Sequence, residues 1–283
     1  MTFLQALSDG MVSGSIYALI ALSFTLIWAS MRTVNLALLQ VGTVAGLTTY
    51  LVYDDLGAAA ALVGVAAGTI VGTLAHILAI ELTRDRDHVI PLIASVGVGL
   101  IIQSVLSQIL GGGVRPMPSL LPDSYVEFGG VAIKTGGLII LGISVVIMAI
   151  ALIVLNRTSI GLGFKACAWN PTLAELYGVD VRRVRYGAAI VGAALAGVGG
   201  LVVSSFSGSI GPYTGLTTGL MGLVAMLIGG AGSFRGAIYG GLCLGLVEAA
   251  AGTVFSSSLK GVAAFAVLLG VLLVRPAGLT RRV

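Results

Sequence analysis

The amino-acid sequence predicts an all-α polytopic membrane protein: one domain over residues 1–283, about nine transmembrane segments (eight to ten), N-terminus outside and C-terminus cytoplasmic. Three observations predict it. Hydrophobic residues make up 57% of the chain and charged residues 9%, with a mean hydropathy of +1.09. Soluble domains carry about 25% charged residues, so this composition cannot cover a water-facing surface. Apolar runs of roughly 20 residues, the length that crosses a hydrocarbon core, recur along the whole chain. The 42 glycines fall mostly inside those runs, where each weakens a soluble helix by about 1 kcal/mol against alanine. In lipid, small residues instead let helix backbones approach where no hydrophobic force drives association.

In order, the apolar runs are Met11–Ser30, Leu36–Tyr53, Leu56–Ile80, Val89–Leu110 and Gly137–Leu155, then, after a polar island, Tyr186–Phe206, Leu216–Ile228, Ala237–Phe255 and Val262–Val274. The seventh and ninth are short for a perpendicular span, so either can be broken or partly re-entrant. No basic segment precedes the first run, and no cleaved signal peptide is expected.

Lys and Arg set the orientation, because cytoplasmic loops carry them in excess. Arg32, Arg84, Arg86, then Arg157, Lys165, Arg182, Arg183 and Arg185 of the island, Arg235, Arg275, Arg281 and Arg282 form the basic side. The other side keeps Arg115, Lys134 and Lys260 beside Asp54, Asp55, Asp123 and Glu127. Arg84 and Arg86 are expected to conflict with strict alternation and to fall outside, unless an early span is re-entrant or split. The net charge of +4 thus reflects membrane topology rather than a nucleic-acid partner. The largest outer loop, residues 111–136, holds three prolines; it is either an ordered external cap or a plain tether.

The polar island, residues 157–185, contains ACAWNPTLAELYGVDVRRV. Asn170 suits a helix N-cap and Pro171 the first helical position. Leu173, Ala174, Leu176 and Tyr177 follow at helical spacing, and Gly178 stands where a left-handed residue ends a helix. Two turns are too short to persist alone in water, so the apolar residues must dock. Geometry alone favours docking on the protein's own span ends. The other reading is a cytoplasmic partner, with Trp169 and Tyr177 as anchors.

Within the later runs, Gly232, Gly236 and Gly240 recur every four residues, giving small faces for close helix packing. Glu248 lies deep in the eighth run, where an ionisable group is costly. It either lines a water-filled pathway or is paired or protonated in the bundle. Gln40, Gln103 and Gln108 offer donors and acceptors to a polar solute or, more simply, to neighbouring helices. His76 reads as an interfacial residue, and neither it nor His88 has the neighbours of a metal site. Cys167 and Cys243 differ too much in depth to form a disulfide.

The segment from Thr158 to Val184 resembles the cytoplasmic loop of the branched-chain amino acid ABC transporter permeases, specifically the shorter of their two permease subunits. The matching residues are Thr158, Gly161, Lys165-Ala166, Asn170, Ala174, Gly178-Val179 and Val184. GSIYALIALSFTLIW at 14–28, GGAGSFRGAIYGG at 229–241 and RPAGL at 275–279 also agree, so the resemblance covers nearly the whole chain. It implies a permease subunit of a binding-protein-dependent importer in the bacterial cytoplasmic (inner) membrane. Trp169, Asn170, Pro171, Leu173, Ala174, Leu176, Tyr177 and Gly178 would form a coupling helix received by an ATPase groove. The implied partners are two cytoplasmic ATPase subunits, a second homologous permease or a second copy of this chain, and an external substrate-binding protein. ATP would bind those subunits, leaving this chain without a cofactor. Consistently, GLGFKAC and GPYTGLTTG lack the G-x-x-x-x-G-K-[ST] phosphate loop.

The chain departs from the family at Asn35-Leu36-Ala37-Leu38-Leu39, where relatives commonly carry Asn-Phe-Ala-His-Gly. That leaves the cargo open among branched-chain amino acids, amides, urea and other small solutes. Asn35, Gln40, Gln103, Gln108 and Glu248 are the candidate pathway residues. A stand-alone secondary transporter or channel is the alternative reading, resting on Glu248 alone. An intramembrane enzyme is excluded by the lack of a nucleophile–base pair, paired carboxylates or a metal triad; Gly142-Ile143-Ser144 has no histidine partner.

Overall fold

A computed structural model describes residues 3–280 apart from 85, 88, 119, 123, 129, 130 and 255–259. His88, Asp123, Phe255, Arg281 and Arg282 therefore lie outside the described residues. Helices dominate: α1 (Phe3–Met31), α2 (Leu38–Leu56), α3 (Ala60–His76) with a π-helical turn at Ile77–Glu81, α4 (Val89–Leu110), α5 (Thr135–Arg157), α6 (Ser159–Trp169), α7 (Pro171–Leu176), α8 (Val181–Ser207), α9 (Thr214–Gly229), α10 (Phe234–Val254) and α11 (Lys260–Val274). Among the described residues, each apolar run of the sequence centres on one of these helices, and the island holds α6, α7 and the start of α8.

Six helical stretches among the described residues are long and apolar enough to cross a membrane: Gln5–Met31, Leu38–Glu81, Val89–Leu110, Thr135–Arg157, Val181–Ser207 and Phe234–Thr253. The second is a hairpin rather than a rod. Gly57, at φ 55°, breaks it, and α3 returns antiparallel to α2, with Gly64 against Thr49, Gly68 against Ala45 and Gly72 against Val41. The return brings Glu81 beside Arg185 of the island, while Arg32 at the end of α1 donates to Ala168 of the same island. Arg84 and Arg86 thus share the side of Arg32, and the expected conflict with alternation disappears. No re-entrant span is needed: the second and third apolar runs are the two arms of this hairpin, and counted as two crossings they already return the chain to the side of Arg32. α9 and α11, of 16 and 15 residues, extend only about 22–24 Å and fall short of a perpendicular crossing.

α1 is the central post. Its most apolar stretch is 83% buried, against 22% for α4 and α5, which leave Ile93, Ile101, Val146 and Ile153 exposed. Helices α5, α8, α9 and α10 pack around α1 through a core that includes Ile16, Leu19, Leu22, Phe24 and Ile27. Close backbone approach depends on glycine: Gly42 of α2 meets Gly200 of α8, Gly245 of α10 meets Gly14 of α1, and Gly236 and Gly240 of α10 meet the α9 backbone at Gly229 and Ala225. A methyl at Gly240 would strike the Ala225 carbonyl, whereas one at Gly142 would meet open space. Gly240→Ala is therefore expected to destabilise the bundle by roughly 1–3 kcal/mol through overpacking. Thermal unfolding in detergent checks this, with Gly142→Ala melting like wild type.

The glycine block and the C-terminal RPAGL segment are two halves of one turn. Leu279 N–H donates to Ile228 O at 2.8 Å and Thr280 N–H to Gly229 O at 3.1 Å, with Gly230 and Gly278 at φ 104° and 81°. At the opposite end, described residues of the 111–136 loop pair as short strands. Strand β1 (Arg115–Pro116) pairs antiparallel with β4 (Ser209–Ile210), and β2 (Tyr125–Phe128) forms a hairpin with β3 (Val131–Lys134). Met117 is buried there, and its N–H donates to Gly208 O.

Candidate functional site

Local sequence builds the island as three capped helices in succession. Thr158 Oγ1 accepts from Gly161 N–H, starting α6; Asn170 Oδ1 accepts from Leu173 N–H at 3.1 Å, starting α7 with Pro171 at its first position; Asp180 Oδ1 accepts from Arg183 N–H at 3.0 Å, starting α8. Each cap satisfies a donor that the first helical turn leaves orphaned. Gly178, at φ 83°, ends α7, and Val179 N–H returns to Ala174 O at 3.0 Å.

A small apolar root holds the loop closed: Cys167, Ala174 and Val181 are buried together. Burial pushes the Cys167 thiol pKa up, with Arg185 opposing the shift. Of the apolar α7 residues, only Ala174 docks on the protein itself. Trp169, Leu176 and Tyr177 are 80%, 78% and 88% exposed, and Leu173 is exposed as well. The expectation of docking on the protein's own span ends is thus corrected. The methyl of Ala174 lets the short helix sit close to α6 and α8, leaving its bulkier neighbours pointing away. Trp169, Leu173 and Tyr177 border an open groove of 1160 Å³, together with Phe164 and Val184. Large apolar side chains gathered on an exposed surface mark an interaction site.

The root is tied to the bundle by polar links. Arg32 donates to Ala168 O at 2.5 Å, Lys165 Nζ to Asn156 Oδ1 at 2.7 Å, and Arg185 Nε to Glu81 Oε1 at 2.8 Å. The Arg185–Glu81 pair is nearly buried, with side chains 12% and 9% exposed. It joins the first turn of α8 to the π-helical turn after α3. Sequence reasoning missed Glu81; the signal was an acidic residue standing among arginines on the basic side.

A second polar group lies within the helices. Asn35 is buried where the chain enters α2; its Oδ1 accepts from Ala37 N–H and its Nδ2 lies 3.4 Å from His76 Nδ1. Leu36 N–H donates to Ser95 Oγ on α4, and Gly215 N–H on α9 donates to Thr43 Oγ1 on α2. Gln40 Nε2 donates to Gln103 Oε1 at 3.1 Å, while Gln40 Oε1 is buried without a partner among the described residues. His76 is fully buried rather than interfacial, because the returning hairpin carries it against Asn35. Gln108 is exposed near the far end of α4, apart from this group. Glu248 is elsewhere again, accepting from Tyr17 Oη of α1 at 2.6 Å. Gly232 turns at φ 90° beside Trp28, whereas Gly236 and Gly240 make the α9 contact. Cys167 and Cys243 are both free thiols.

The helical architecture and the sequence each have known counterparts. The chain is similar to PsaBC from Streptococcus pneumoniae in complex with Fab, with a TM-score of 0.51 at 16% identity over 97% of this chain and 92% of that one, a likeness of fold. It is 29% identical to the high-affinity branched-chain amino acid transport system permease protein LivH of Escherichia coli K12, over 99% of this chain and 96% of the relative. The corresponding protein BraD of Pseudomonas aeruginosa is also 29% identical, with the same coverage. Residues 6–274 match the family described as the permease component of the branched-chain amino acid transport system. The multi-pass helical bundle, the loop and the full-length match converge: the chain belongs to the branched-chain amino acid transport system permease family and is a transport subunit rather than an enzyme.

Proposed function

We propose that the chain is the membrane-spanning permease subunit of a binding-protein-dependent importer, moving branched-chain amino acids or related small polar solutes across the bacterial cytoplasmic membrane. ATP is hydrolysed on two separate cytoplasmic subunits, and the bundle pairs with a second homologous permease or a second copy of itself. The chain carries about nine spans, with its N-terminus outside and its C-terminus in the cytoplasm. The observation that carries the reading is the exposure of Trp169, Leu173, Leu176 and Tyr177 on a root fixed to three parts of the bundle. A short helix that cannot be stable alone gains its partner when an ATPase groove receives it. Closure of the ATPases then moves the root, and the Arg185–Glu81 link passes that movement to α3.

The pathway runs beside the start of α2, where Asn35, Gln40 and Gln103 converge. The unpartnered Gln40 Oε1 leaves one acceptor for the ammonium or amide donor of a passing solute. Gln108 and Glu248 contribute at other depths. Gln103→Leu alone is expected to lower stability by about 1–3 kcal/mol by orphaning the Gln40 amide, and Gln40→Leu/Gln103→Leu to restore it. A stable double variant whose uptake keeps a raised KM supports the pathway role. Uptake that returns with stability assigns the pair to helix packing instead.

Affinity purification of the tagged chain in mild detergent, with mass spectrometry of what stays bound, tests the importer reading. An ATPase and a second permease are expected. A solitary protein that moves solute into liposomes without ATP would overturn it.

A further inference from the structure

At the basic end of the bundle a second cavity, of 650 Å³, opens where four elements meet: the end of α1, the end of α5, α6 and the turn into α10. Its walls carry Arg32, Lys165 and Arg235, and no Asp or Glu is among its lining residues. Asn156 adds a carboxamide, and the first turn of α10 adds the positive end of a 21-residue helix. Lys165 spends one donor on Asn156 and retains two.

Trp28 stands at the wall of this cavity. Its indole Nε1 is closed off from solvent and has no acceptor among the described residues. The Cδ1–Nε1 edge lies against Gly232, where a side chain would come within 3.4 Å of the ring. That glycine belongs to the cavity wall.

The cavity also borders the lipid-facing surface. Leu152 and Leu155 line it, and their neighbours Ile153 and Val154 are exposed on the outside of α5. Basic pockets between helix ends at this level of a membrane recruit anionic headgroups.

We propose that this cavity is a binding site for a phosphate group whose negative charge no attached ammonium offsets: the Lys165 ammonium and the Arg235 guanidinium neutralise it. The shared chemistry admits a phospholipid headgroup entering from beside α5 or an inorganic phosphate from solution. An occupant would bind at the root of the α6–α7 loop and brace Trp169 against α1 and α10.

The chain has only two tryptophans, Trp28 and Trp169, and both line the cavity. Trp169→Phe leaves Trp28 as the only indole reporter. The full-length chain is placed in nanodiscs containing brominated phosphatidylglycerol or brominated phosphatidylcholine, and Trp28 emission is read. A second arm titrates inorganic phosphate against chloride at equal ionic strength. Stronger quenching by the phosphatidylglycerol supports the site with a lipid source; a saturable response to phosphate alone supports it with a soluble one. Lys165→Gln/Arg235→Gln is expected to weaken either preference on the order of tenfold or more. If that pair fails to fold, as read by elution volume and helical circular dichroism, the milder Arg235→Gln replaces it. Equal quenching by both lipids with no phosphate response overturns the proposal, as does a preference that survives loss of these cations.

Discussion

Gly178→Pro is expected to abolish ATP-driven uptake while the bundle still folds. Gly178 closes α7 at φ 83°, and its N–H donates to Glu175 O. Proline holds φ near −65° and has no N–H, so the turn cannot form. Space is no obstacle, because a Cβ here would meet nothing within 4 Å; the backbone conformation is. The lesion is confined to the loop, since α7 and α8 are separately capped by Asn170 and Asp180. Tyr177→Ala tests the same surface without touching the turn. At 88% exposure the ring adds little to this chain's own stability. As an aromatic anchor in a partner's groove, its loss would cost about 2 kcal/mol or more, roughly 30-fold in association. ATP hydrolysis and uptake, measured together in proteoliposomes of the assembled transporter, should separate in both variants. Normal uptake by both would remove α7 from the coupling role.

Arg185→Met is expected to destabilise the protein by roughly 1–3 kcal/mol, because it leaves the nearly buried Glu81 carboxylate with only its longer, 3.8 Å contact to the half-exposed Arg84. The double variant Glu81→Gln/Arg185→Met, which removes both charges, should recover most of that loss. Thermal unfolding of the two single variants and the double measures the difference. If the pair also transmits movement from the loop to α3, the double variant will melt near wild type yet hydrolyse ATP with diminished uptake. An Arg185→Met protein that melts like wild type would show that the ion pair does not constrain the folded chain.

How much of this was legible depends on the range of the forces involved. The caps of the island were readable because Asn170, Pro171 and Gly178 act within one helical turn of their own positions. The apolar runs were readable because lipid demands a fixed length of hydrocarbon. The direction in which Leu173, Leu176 and Tyr177 point was not readable. It depends on Cys167 and Val181, which reach Ala174 from two other helices. His76 was misplaced for a similar reason: its position near the end of an apolar run suggests the interface, but the hairpin packs it against Asn35, forty-one residues earlier. Whether the 111–136 loop is an ordered cap or a tether was not readable, because the strand partner of Arg115–Pro116, Ser209–Ile210, lies far along the chain.

By itself, the sequence determined that the protein is a helical membrane bundle with a basic side, a capped polar loop and glycine-lined helix faces. Composition, run length and capping are local or additive properties, so they survive without knowledge of the fold. Only the tertiary structure decided that α1 stands at the centre, that α3 packs back along α2, and that Glu81 and Arg185 meet. It alone decided, too, that the apolar tip of α7 faces outward and that Trp28 lines a pocket with Lys165 and Arg235. Those features are pairings between distant segments, set by which glycines permit backbones to approach and which buried polar groups find partners.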